Sequence, residues 1–149
     1  MEYKKLKPHL TSVDEFREIW RDEYCAAPIE TFDGVRVFCF EDMFDHVFFE
    51  SADRIPGDKS ILSLNRLEKI LWIKATLKDS DAILKTGWDK STKSYFDNRR
   101  ISIVKGNYVV VIRFIGFLKA KLVTAYEKND IGNILKSPDF DRNSPYLKK

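Results

Sequence analysis

The chain has 149 residues, of which 44% are hydrophobic and 13% aromatic, with a net charge of +3. That length suffices for one hydrophobic core, and the composition argues for a packed globule over a disordered chain. No window approaches the roughly 18 consecutive apolar residues of a membrane span, and the opening MEYKKLKPHL lacks the apolar stretch of a signal peptide, so a cytoplasmic protein with no membrane partner is expected.

Residues 1–12 form a basic lead-in that includes His9. Residues 13–24 place Val13, Phe16, Ile19, Trp20 and Tyr24 at amphipathic-helix spacing. Ser12 followed by Glu15 has the pattern of a capping box. Residues 34–40 alternate Val35, Val37 and Cys39 with Arg36, Phe38 and Phe40, which predicts a strand. Residues 41–50, EDMFDHVFFE, fit a helix by their leading acids or a strand by Val47, Phe48 and Phe49. A loop around Pro56-Gly57 follows. Residues 61–78 read as one long helix, with Leu64, Leu67, Ile70, Leu71, Ile73 and Leu77 on its apolar face. Residues 81–85 suggest a second, short helix closed by Gly87. The polar stretch 88–98 leads into three strands: residues 100–104, a Lys105-Gly106-Asn107 turn, residues 108–115, and after Gly116 a final strand through Tyr126. The pattern predicts an α+β fold, with N-terminal helices on one face of a small, about four-stranded antiparallel sheet. Residues 1–130 form the expected domain and 131–149, with few apolar residues, a flexible tail.

Charge is segregated along the chain. Residues 22–58 hold ten acids against Arg36 and Arg54. Residues 98–126 hold Arg99, Arg100, Lys105, Arg113, Lys119 and Lys121 with no acid. A basic meander of this kind suits a polyanion such as RNA, and Arg99, Arg100, Arg113, Lys119 and Lys121 are the candidate RNA-binding residues. It equally describes a core sheet with a solvated lysine face. Cys25 and Cys39 either pair or, with no export signal, stay reduced and buried. There is no CxxC and no His/Cys cluster, so neither a metal nor another cofactor is expected.

Three short motifs stand in order: DHVFFE at 45–50, NRLEKILWIK at 65–74 and KLVTAY at 121–126. Together, over roughly residues 34–127, they resemble the phage-associated nuclease domains of the barnase, EndoU, colicin and RelE superfamily. The resemblance implies a metal-independent endoribonuclease, often a toxin with a cognate inhibitor protein, whose site lies on the sheet face that the helices leave open. Carried over by motif, His46, Arg66, Thr124 and Tyr126 are the implied catalytic residues. The chemistry is compatible. Metal-free RNA cleavage by the 2′-hydroxyl needs a base, an acid and cations for the phosphorane charge. Histidine can take either proton role, arginine grips phosphate bidentately, and tyrosine can stack a base. Against this, strict alternation puts Thr124 and Tyr126 with Leu118, Ala120 and Leu122, opposite Lys119 and Lys121. A β-bulge, or a strand end running past the core, would reconcile the two sets. Three classes follow: an RNase, a non-catalytic nucleic-acid-binding module, and an immunity- or antitoxin-like interaction domain whose acidic half meets a basic protein.

Overall fold

Ser12 opens the first helix, its hydroxyl accepting the Glu15 backbone N–H at 3.1 Å, which is one half of the expected capping box. This helix, α1 (Val13–Trp20), runs on into a π-helical turn, Arg21–Cys25. Phe16, Trp20 and Tyr24 recur every fourth residue along it and are all buried. The computed structural model describes residues 5–7, 12–50, 61–86, 88–89, 94–95 and 100–140. His9, the Pro56-Gly57 loop, Gly87 and Arg99 lie outside the described residues.

Two short strands follow, β1 (Ile29–Glu30) and β2 (Arg36–Phe38). The stretch compatible with helix or strand is both in succession: α2 (Met43–Phe48), then β3 (Phe49–Glu50). β3 pairs antiparallel with β4 (Ile61–Leu62). The long helix expected over 61–78 is therefore broken into β4, α3 (Leu64–Glu68) and α4 (Ile70–Lys78). Two side chains account for the breaks. The Ser63 hydroxyl accepts the Arg66 N–H at 3.2 Å and starts α3 three residues after Ile61. Lys69, at φ −105° and ψ 19°, leaves the helical path to bring its buried ammonium to Glu68 at 3.1 Å and Glu127 at 3.7 Å. Apolar periodicity registers neither.

The second helix expected at 81–85 is a strand, β5 (Ile83–Thr86). β6 (Trp88–Asp89) and β7 (Ser94–Tyr95) form a small hairpin of their own. The expected meander is present as β8 (Arg100–Lys105), β9 (Tyr108–Gly116) and β10 (Lys119–Glu127). The main sheet is ordered β1-β2-β10-β9-β8-β5. The fold is α+β as expected, but its sheet has six strands instead of four and is mixed, since β2 runs parallel to β10. The added strands, β1 and β5, have two and four residues, at or below the shortest run in which a period of two registers, and the parallel pair joins segments some eighty residues apart. Leu118 holds that junction: it turns the chain at φ 53° and its carbonyl accepts the Arg36 N–H at 2.9 Å.

The helices cover one face of the sheet. Phe44, Phe48, Leu67, Ile70, Ile73 and Leu77 pack there with Ile101, Ile103, Val110, Ile112, Phe114 and Leu122. The other face carries a smaller cluster, Val104, Val109 and Val111, against Val123, Tyr126, Ile131 and Ile134. Ile131 and Ile134 come from the segment around α5 (Gly132–Leu135), within the stretch expected to be flexible. That stretch is tied down as far as Phe140. Thr86 N–H donates to the Pro138 carbonyl at 2.8 Å, Lys85 pairs with Asp139 at 2.6 Å, and buried Phe140 stacks on Phe114 at 5.7 Å between ring centroids. Backbone bonds, an ion pair and three apolar side chains together hold a stretch that has no amphipathic period. Residues 141–149 lie outside the described residues.

Both cysteines are free thiols. Burial pushes Cys39 up to about 12 and half-buried Cys25 up to about 11. No helix among the described residues is long and apolar enough to cross a membrane.

Candidate active site

The parity conflict in the last strand is resolved by a bulge at Val123. Lys121 lies opposite Arg113 and Leu122 opposite Ile112, but Thr124 lies opposite Val111 and Tyr126 opposite Val109. One extra residue on β10 shifts the alternation, and everything after it changes face. Lys121, Thr124 and Tyr126 therefore share the face away from the helices, while Ala120, Leu122 and Ala125 all enter the main core.

That face carries a row of cations across three strands. Arg100 is directly opposite Arg113, and Arg113 is directly opposite Lys121. Like charges directly opposite one another destabilise a sheet, so this arrangement works against folding. Among the described residues no carboxylate forms an ion pair with any of the three. They line an open cleft of about 570 Å³, whose other wall is Phe40, Asp42, Met43 and His46.

The position of that wall follows from the sheet order. β2 accompanies β10 only along Lys119–Lys121, and beyond it the edge of β10 is taken over by α2 and α3. α2 buries Phe44, Val47 and Phe48, which leaves Asp42 and His46, one turn apart, on the opposite side. The neighbouring acids are drawn outward: Asp45 pairs with Arg17 at 2.6 Å and Glu41 with Arg21 at 2.9 Å. Asp42 sits at the N-cap of α2, but its side chain makes no capping bond. It is the acid that lines the cleft.

The four residues implied by motif do not form one cluster. His46 lies in the cleft, exposed to solvent. Thr124, opposite Val111, is about 7 Å along the strand from the cation row. Tyr126 is about 13 Å along by the same count and meets Arg66, whose guanidinium lies 5.9 Å from its ring centre. Arg66 also donates to the Val47 carbonyl at 3.0 Å, so it ties α3 to the end of α2. Burial pushes the Tyr126 phenol up, and the charge of Arg66 partly offsets this. Of the RNA-binding candidates, Arg100, Arg113 and Lys121 meet in the cleft. Lys119 is exposed two pairs further along β10, outside it, and Arg99 lies outside the described residues.

Asp42, Met43 and Phe40 are site residues that the sequence reading missed. Asp42 was detectable, being four residues before His46, once the segment is read as a helix. Phe40 falls on the outward side of an alternating strand, where nothing distinguishes it from a solvated position. Among the described residues no group of three or more His, Cys, Asp or Glu is placed to hold a metal ion. No family model matches the chain, and neither a curated protein nor a solved structure does.

Proposed function

We propose that this chain is a metal-independent endoribonuclease that cleaves RNA by attack of the 2′-hydroxyl on the adjacent phosphate. The observation that carries the reading is the cleft that joins His46 to Arg100, Arg113 and Lys121. Two arginines and a lysine, with no carboxylate paired to them among the described residues, suit a phosphodiester and the extra charge of its phosphorane. Histidine is the side chain that exchanges a proton near neutrality. His46 and Asp42 then serve as the proton-transfer pair. One takes the 2′-hydroxyl proton as the new P–O bond forms, and the other protonates the departing 5′-oxygen, leaving a 2′,3′-cyclic phosphate. Thr124 orients the phosphate beside the row, and Tyr126 with Arg66 shapes the continuation of the strand path. The resemblance of the three motifs to the barnase, EndoU, colicin and RelE domains implies the same reaction. A toxin-like role with a cognate inhibitor follows from that resemblance alone.

The test is incubation of the purified protein with RNA, with and without a chelator, for the wild type and His46→Ala. Cleavage should persist in chelator and leave 2′,3′-cyclic ends. His46→Ala should lower the rate by about 10²- to 10⁴-fold with an unchanged melting temperature. A wild type that cuts only with added divalent metal, or a His46→Ala variant that cuts at the wild-type rate, overturns the mechanism. Salt-sensitive binding without any cutting would leave a nucleic-acid-binding module.

A further inference from the structure

Phe40 is the large apolar side chain of the cleft that faces solvent, 49% exposed. Its backbone is held firmly. Its carbonyl accepts the indole N–H of Trp20 at 2.9 Å and the Met43 N–H at 3.0 Å, and Trp20 is only 1% exposed. The ring thus stands on a fixed support, in the wall that faces Arg100, Arg113 and Lys121. An exposed aromatic on an anchored backbone beside a row of cations is an arrangement that suits single-stranded nucleic acid. The cations follow the phosphates and the ring receives a base that has no partner. A duplex keeps its bases stacked inside and has none to offer.

Resting on the nuclease reading above, we propose that Phe40 is a specificity-determining residue. It stacks one unpaired base next to the phosphate held by the cation row, and so restricts the cleft to single strands and loops.

The probe is a fluorescent 12-mer of 2′-O-methyl RNA, which lacks the attacking hydroxyl and cannot be cut by this route. It is compared with the same strand bearing abasic sugars at its central positions and with its duplex. Wild type should bind the intact strand about 5- to 150-fold more tightly than the abasic one. The duplex should bind no better than the abasic strand. Phe40→Ala should bind intact and abasic strands equally. Phe40→Leu, which keeps apolar bulk without a π-face, should behave likewise and covers the case of a misfolded alanine variant. Phe40→Trp should keep the discrimination, with its added indole fluorescence quenched on binding. Equal wild-type affinity for intact and abasic strands, discrimination retained in both Phe40→Ala and Phe40→Leu, or no binding of any strand overturns the proposal. Cleavage of unmodified RNA, measured alongside, separates the two ideas. Base discrimination without cleavage refutes the nuclease and keeps Phe40 as a stacking residue. Cleavage without discrimination does the reverse.

Discussion

The face of β8–β10 turned away from the helices has two halves of opposite character. At one end Val104, Val109 and Val111 lie under Ile131 and Ile134, with Tyr126 beside them. At the other, half-buried Arg100 and Arg113 and exposed Lys121 line the open cleft. On β9 only one intervening residue, Ile112, separates buried Val111 from Arg113. The apolar half does what sheet faces ordinarily do, lowering free energy by removing hydrocarbon from water. The cationic half opposes folding through two like-charged cross-strand pairs. A surface that costs stability points to binding, because an anion placed there relieves the repulsion.

The largest expected effects set the halves apart most directly. His46→Gln on the open side should reduce cleavage by about 10²- to 10⁴-fold while moving the melting temperature little, as an exposed side chain should. Phe140→Ala should do the opposite: Phe140 ends the segment whose Ile131 and Ile134 cover the apolar half, but its own ring lies in the helix-side core against Phe114. Truncating a buried phenylalanine costs about 3–5 kcal/mol, a fall in melting temperature on the order of 6–20 °C for a chain of this size. Cleavage per folded molecule should remain near wild type below the transition. If Phe140→Ala abolishes cleavage while folded, the cleft is not independent of the core behind it.

A middle-sized effect tests the charge row itself. Arg113→Met should weaken binding of a single-stranded RNA and lower the slope of log affinity against log salt by about 1. It should also raise the melting temperature slightly, since both cross-strand repulsions go with it. Lys105→Met is the control, because Lys105 lies outside the cleft and pairs with Asp79 at 3.2 Å. An equal loss of slope in both variants would mean that binding is spread over the whole basic meander.

The smallest effect is confined to high pH and concerns the core. Cys39, pushed up to about 12 from an ordinary 9.0, holds its proton more tightly folded than unfolded. Its contribution is therefore complete below pH 9 and is lost as the pH rises towards 12. Tyr24 shifts in the same direction, again by burial. Cys39→Ala should flatten the fall in stability between pH 9 and 11, read from urea midpoints, and leave the pH dependence of cleavage around neutrality untouched.

The amino-acid sequence by itself determined the elements whose physics is local. Ser12 caps α1, the alternating runs and the Gly106-Asn107 turn give β8 to β10, and the concentration of cations after residue 98 marks the basic strands. It also singled out His46, Arg100, Arg113 and Lys121. Only the tertiary structure decided which of these meet. The bulge at Val123 depends on Ala125 joining Leu122 and Ala120 in the core, and that choice exists only once β9 and the helices are in place. The parallel pairing of β2 with β10 and its early end determine where α2 sits, and so put His46, Asp42 and Phe40 opposite the cations. The break at Lys69 has the same origin, because Glu127, one of its partners, lies fifty-eight residues away. A residue's neighbours along the chain set its local conformation, but the charge and the ring it faces across a cleft are set by pairings between segments far apart in sequence.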